Sequence, residues 1–255
     1  MTQGIMPVQF QVGPDTVRVN MPDRATLVAQ VAARLAARQG FAIATLNLDH
    51  LVKLARDPAF RAAYAAQDMV TADGNPIVWL SRLARRPVAL VPGADLVLPL
   101  AQLAARAGRG VALVGSTQDS LDAAAAWLTT HVPGLRISAL IAPPMGFDPA
   151  GPAADAILAQ VEVTDTGLCL IAMGAPRQEV LAARGRALTP GIGFASVGAG
   201  LDFLSGSQRR APAWVRRMAL EWLWRALSDP ARLTRRYALC AVVLPGHAWR
   251  SWRDG

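Results

Sequence analysis

A single lysine, Lys53, serves a chain of 255 residues that nevertheless carries a formal charge of +8. Without a lysine in a glycine-rich turn there is no P-loop, and without Gly-x-Gly-x-x-Gly the dinucleotide fingerprint is missing too. Cysteines number two, Cys169 and Cys240, both in apolar runs. That argues against a disulfide framework and fits a reducing cytoplasm. His50, His131 and His247 lie far apart, without metal-ligand spacing, and no Asp-x-Asp pair exists to grip a nucleotide diphosphate through a divalent cation. No metal or other cofactor is expected. No apolar run reaches the roughly 20 residues that cross a bilayer. The run over 237–244 is too short, and Pro245-Gly246 is expected to end it. The amino terminus lacks a basic stretch followed by an apolar core, so no secretory signal is read there.

Anions are scarce in one place above all. From Ser205 onward there are ten arginines against Glu221, Asp229 and Asp254, a net +7. Such asymmetry points to a nucleic acid, an anionic membrane or a phosphorylated ligand.

What is present is a regular alternation. Residues 9–19 alternate around Gly13-Pro14-Asp15 as a small hairpin. Residues 25–39 place Leu27, Val28, Val31 and Leu35 on one helical face, with Gly40 as the stop. The apolar run 41–46 reads as a buried strand ending in Thr45-Leu46-Asn47. Asp57-Pro58 starts a helix reaching about Gln67. Residues 69–71 form a strand leading into Ala72-Asp73-Gly74-Asn75-Pro76, where Asn75 reads as a cap and Pro76 as the first helical residue. A helix over 94–107 is expected to bend or break at Pro99. Strands then follow at 111–115, 136–141, 168–173 and 192–197. Helices lie between them, starting at Ser116-Thr117, Pro152 and the Gly174-Ala175-Pro176-Arg177-Gln178-Glu179 turn. The pattern predicts an α/β, Rossmann-like parallel sheet flanked by helices, with ligands at the carboxyl ends of the strands.

Residues 1–204 thus read as the α/β core and 205–255 as a helical, basic appendage. One helix is expected over 212–227, with Arg217, Glu221 and Arg225 in a polar stripe. A second, over 231–243, places Arg232, Arg235 and Arg236 on one side. Interleaved tryptophans (Trp214, Trp222 and Trp224) suit an anionic, partly apolar surface.

Three strand ends offer chemistry, and each has a plain alternative. Gly115 would let a phosphate approach backbone N–H groups at a helix start, or it serves sheet geometry alone. Gln178 would read a base or ribose, or the turn only offsets a helix dipole through Glu179. Asp73 would act as a general base, or it is an aspartate favoured near a helix amino terminus. That terminus would also weaken it as a base unless burial or tail closure compensates.

Taken in order, several motifs resemble the WecG/TagA/CpsF glycosyltransferases, glycosyltransferase family 26. They are Thr45-Leu46-Asn47, Ala72-Asp73-Gly74, Pro92-Gly93-Ala94-Asp95-Leu96, the 174–179 turn and Val197-Gly198-Ala199-Gly200. Beyond these come Arg210-Ala211-Pro212, Glu221-Trp222-Leu223-Trp224-Arg225 and Pro230-Ala231-Arg232. The set spans roughly residues 9 to 240. The resemblance implies an inverting, metal-independent enzyme that moves a sugar from a UDP-sugar to a polyprenyl-diphosphate-linked acceptor. It would work at the cytoplasmic membrane face in bacterial cell-surface or exopolysaccharide synthesis.

By the same resemblance Asp73 is the base, Thr45 and Asn47 are its substrate-binding neighbours, and Gln178 meets the donor. Arg225, Arg232 and Arg235 close over the site and meet diphosphate. A homo-oligomer is a further expectation, its state coupled to how the tail packs. One departure stands out: the family's Glu-Arg-Val is Ala89-Leu90-Val91 here, and Arg85 or Arg86 would be the replacement cation. Two rival readings remain: a nucleic-acid-binding protein using the basic tail, and a nucleotide-dependent oxidoreductase.

Overall fold

Apolar runs of four to seven residues are too short to stand alone, and the computed structural model pairs six of them into one parallel sheet. It describes residues 7–212, 214–215, 218–228 and 230–255; the side chains of Arg225, Ser228 and residues 230–232 lie outside that description. An antiparallel hairpin, β1 (Val8–Val12) and β2 (Asp15–Val19), comes first, in register Val8 to Val19. Then follow α1 (Arg24–Ala36), β3 (Phe41–Leu46), α2 (Leu48–Leu54), α3 (Pro58–Ala65), β4 (Met69–Ala72) and α4 (Asn75–Leu83). A 3-10 turn at Gly93–Asp95 precedes α5 (Val97–Arg106), β5 (Gly110–Gly115), α6 (Gln118–His131) and β6 (Ile137–Ile141). The rest comprises α7 (Pro152–Val163), β7 (Thr166–Ala172), α8 (Arg177–Leu188), β8 (Gly193–Ser196), α9 (Gly200–Ser205), α10 (Glu221–Ser228) and α11 (Pro230–Arg253).

The strand order is β4-β3-β8-β7-β5-β6. β3, β5, β7 and β8 are buried along their whole length, as expected of strands covered on both faces. Leu27, Val31 and Leu35 of α1 pack on one face with α5, α6 and α9. Ile157 and Leu158 of α7 and Leu181 of α8 pack on the other. The open edge of β4 does not face water. Val70 N–H donates to Asn20 Oδ1 at 2.7 Å, Met21 N–H donates to Val70 O at 3.1 Å, and Leu90 bridges Ala72. That cover removes the pairing hazard of a bare edge.

Several local expectations are corrected. The left-handed residue after α1 is Arg38, at φ 52°, so the helix ends before Gly40. A separate helix, α2, begins at Leu48 and is capped by Asn47, whose Oδ1 accepts from His50 N–H at 2.9 Å. Asn75 is the first helical residue of α4 rather than its cap; the cap position is Gly74, at φ 92°. Pro99 does not interrupt α5, because it falls in the first turn, where a missing N–H costs nothing. The single helix expected over 212–227 is split: Ala219 adopts φ 61° and α10 starts at Glu221. Arg217 lies outside the described residues.

Pro245-Gly246 does not end the last helix, which runs to Arg253. An interior proline costs about 3 kcal/mol. The turns beyond it offset that by burying His247 and Ser251, with the His247 ring edge-on to Phe10 at 6.4 Å. α11 therefore lies along α2 and α4, its Leu239, Cys240, Val243 and Leu244 joining the cluster that holds the hairpin.

Candidate active site

The site is built where β4, β3 and β8 end side by side. Asp73 follows β4, and its N–H donates to Leu46 O at 2.7 Å, which fixes it against the end of β3. Thr45 is register partner to Thr71, and Asn47 comes two residues later on the same strand direction. A Cβ placed on Gly74 would lie 4.0 Å from Asn47 Cβ, so the Asp73-Gly74 turn and Asn47 share one wall. It is the φ of 92° that selects glycine there. Thr45, Asn47 and Asp73 are thus brought together.

Gln178 reaches the same edge from α8. It is buried; its Oε1 accepts from Gly198 N–H at 3.1 Å and its Nε2 donates to Glu179 Oε1 at 2.8 Å. In this state its amide clasps the loop after β8 to the start of α8. Gly115 is farther away. Four strand spacings separate β5 from β4, about 19 Å across the sheet. Gly115 has φ 114°, and a Cβ there would fall 2.4 Å from Ala172 O, so only glycine fits. The following N–H, that of Ser116, is spent on Ala172 O at 3.0 Å, and Ser116 Oγ donates to Asp202 of α9.

Arg235 is exposed and lines a groove of about 480 Å³ between α2, α11 and Pro176. Lys53, Arg56 and Arg236 share that groove with the apolar Val52 and Leu239. Asp49 binds the two helices together, 2.9 Å from Lys53 Nζ and 3.2 Å from Arg236 Nε. The side chains of Arg225 and Arg232 lie outside the described ones.

Behind the strand ends is a buried polar group that carries no signal in the sequence. Tyr64 Oη donates to Thr45 O at 2.9 Å and lies 2.7 Å from His50 Nδ1. Burial pulls His50 down to about 3, with Asp49 opposing. Burial pushes Glu179 up to about 7, opposed by the Gln178 hydrogen bond and by Lys53. Burial also pulls His247 down to about 4.

These shifts have opposite signs for stability. Between pH 6.5 and 4.5 the unfolded chain protonates both histidines while the folded chain does not, so acid destabilises. From pH 7 down to 4.5 folded Glu179 takes up a proton the unfolded chain does not, so acid stabilises. Glu179 therefore cancels one histidine. Each uncompensated proton tilts stability by about 1.4 kcal/mol per pH unit. Melting temperature is expected to fall from pH 7 to pH 5, and to fall more steeply in Glu179→Gln. Equal slopes would mean that Glu179 is ionised in the folded protein.

A family model, Glycosyl transferase WecG/TagA/CpsF family, matches residues 15–255, from the second hairpin strand to the last residue. The chain belongs to this family. It is a glycosyltransferase, and the family's work is cell-surface polysaccharide synthesis. Membership makes the chain a transferase and displaces the oxidoreductase reading.

Arg85 and Arg86, the expected stand-ins for the family arginine missing at Leu90, lie a helix length from Asp73. Both follow α4 at its carboxyl end, and Asp73 precedes its amino end. Arg86 donates to Pro7 O at 3.3 Å, toward the hairpin. Against burial, Arg210 has its pKa held above the ordinary value by Asp95, then Glu221 and, last, Asp73. It pairs with Asp95 and sits 5.7 Å from the Phe203 ring centroid. Its only sequence signal was membership of two motifs, Asp95 in one and Arg210 in the other. Among the described residues no helix is long and apolar enough to cross a membrane, and no three His, Cys, Asp or Glu side chains group to hold a metal.

Proposed function

We propose that this glycosyltransferase is an inverting enzyme that moves a hexosyl or N-acetylhexosaminyl unit from a UDP-sugar to a polyprenyl-diphosphate-linked sugar. The observation that carries the reading is Asp73 at a strand end, fixed beside Asn47 and next to a helix amino terminus, in a chain of this family. Asp73 takes the proton of the acceptor hydroxyl as that oxygen attacks C1 of the donor sugar. The bond from C1 to the UDP oxygen breaks on the opposite face, and UDP carries away the electron pair. Thr45 and Asn47 hold the acceptor against Asp73. Gln178 sets the loop after β8 for the donor.

The groove beside α11 supports the acceptor half of the reading. Lys53, Arg56, Arg235 and Arg236 would neutralise a diphosphate, and Val52 and Leu239 would line a prenyl chain. Arg225 and Arg232 would join them on closure. The tail's +7 charge supports work at the inner, anionic face of the cytoplasmic membrane, with a homo-oligomer as one way to cover the tail.

A UDP-release screen over UDP-sugars, with and without polyprenyl-diphosphate-linked acceptors, tests the proposal. Release that requires both substrates supports it; release with no acceptor dependence argues for another reaction. In the same assay EDTA is expected to leave turnover intact, since backbone amides and arginines neutralise the diphosphate. Loss in EDTA that magnesium or manganese restores would overturn the metal-independent mechanism.

A further inference from the structure

Arg210 lies where three parts of the molecule meet. It follows α9, and its Nη1 is paired with Asp95 Oδ1 in the 3-10 turn Gly93–Asp95. That turn is fastened to the site from both sides. Upstream, Val91 N–H donates to Ala72 O at 2.8 Å and Thr71 Oγ1 donates to Val91 O at 2.9 Å, so the strand beside Asp73 carries it. Within the turn, Gly93 rests on the backbone of Ser196 and Val197 at the end of β8. The Phe203 ring holds the guanidinium on its other side.

The charges around Arg210 come from different elements. Burial works against its charge, but Asp95 from the turn, Glu221 from α10 and Asp73 from β4 together hold the guanidinium's pKa above its ordinary value. Of these three carboxylates, Asp95 is the one the half-buried guanidinium pairs with directly. Its Nε is buried without a hydrogen-bond partner among the described residues. For stability alone this is a poor arrangement, since an unspent buried donor costs free energy that an apolar side chain would not.

We propose that the Arg210–Asp95 pair is a latch: Arg210 is a positioning residue that ties the chain leaving α9 to the 3-10 turn and so steadies the backbone beside Asp73. This rests on Asp73 as the base. Without the latch the residues just after α9 lose their tie to the turn, and the turn loses one of its two supports beside the end of β4.

Two measurements on the full chain test it. Limited chymotrypsin digestion, whose sites neither substitution removes, is expected to cut the tail several-fold faster in Arg210→Gln and in Asp95→Asn than in the wild type. Cutting at the wild-type rate in either variant overturns the latch. In the UDP-release assay, with whichever donor and acceptor support turnover, Arg210→Gln is expected to lower kcat about tenfold while donor KM stays within about twofold. Arg210→Lys should recover part of the loss. Asp95→Asn should resemble Arg210→Gln, and the double variant should be no worse than the poorer single one, as for two groups acting as one unit. Additive losses, or a kcat that falls only in step with melting temperature, also overturn it. Asp73→Asn is run beside these variants: if it keeps turnover, the base assignment fails, whereas a dead Asp73→Asn with a fully active Arg210→Gln sinks the latch alone.

Discussion

Replacing Asp73 by asparagine is expected to lower transfer by about a hundredfold or more while melting temperature and UDP affinity stay near wild-type values. The substitution keeps size and shape and removes only the ability to accept a proton. What fixes residue 73 in place is its backbone N–H on Leu46 O, which asparagine retains. A capping role would predict a different result, with lost helix stability and little lost rate. Asp73 does not occupy the cap position of α4, which begins at Asn75 and has Gly74 as its cap residue. Asp73 is one residue further out. It still stands at the amino end of α4, where the helix dipole favours negative charge. A variant that retains near-normal turnover under saturating acceptor, with a lowered melting temperature, would make Asp73 structural.

The sheet was legible because its strands are short apolar runs closed by turn residues, and every helix between 118 and 188 announces its start. Thr117 caps α6, Pro152 opens α7 and the Gly174–Pro176 turn precedes α8. Asp73, Thr45 and Asn47 were legible for the same reason: they sit where strands stop. The misses share another cause. α2 is seven residues long and directly follows β3, so its apolar positions merge with the strand's run. Asn47, read only as a ligand contact, is also its cap. Pro245 looked terminal because proline chemistry is local, whereas the packing of His247 and Ser251 that carries α11 past it is tertiary. The Arg210–Asp95 pair spans 115 positions in sequence, and spacing carries no signal at that separation. The same holds for the Tyr64, His50 and Glu179 group, whose members come from α3, α2 and α8.

The appendage is expected to do two separable jobs, and the outer surface of α11 shows how to separate them. Its inner side is committed: Leu233 and Cys240 are buried, and Arg236 meets Asp49 of α2. Its outer side leaves Val242, Trp249 and Trp252 more than half exposed, at helical spacing, and Arg253 is exposed as well. α10 adds Trp222 and Leu227 to the exposed set. An anionic bilayer would receive both features, with about 1 kcal/mol from each cation near its surface and further gain from interfacial tryptophan. Truncation after Leu204 is therefore expected to abolish both transfer and binding to anionic liposomes. It also uncovers the side of α2 and α4 that α11 covers, so point variants must carry the distinction. Trp249→Ser with Trp252→Ser is expected to release the protein from anionic liposomes while a water-soluble short-chain acceptor is still turned over at near full rate. Arg235→Ala, and by the same reasoning Arg232→Ala, is expected to do the reverse, cutting transfer about tenfold or more with liposome binding reduced only modestly. If the tryptophan pair leaves liposome binding unchanged, the outer face of α11 is not the membrane surface. If the truncated chain, folded, turns over a soluble acceptor at full rate, the tail does not complete the site, and the groove beside Lys53 and Arg56 must hold diphosphate without it.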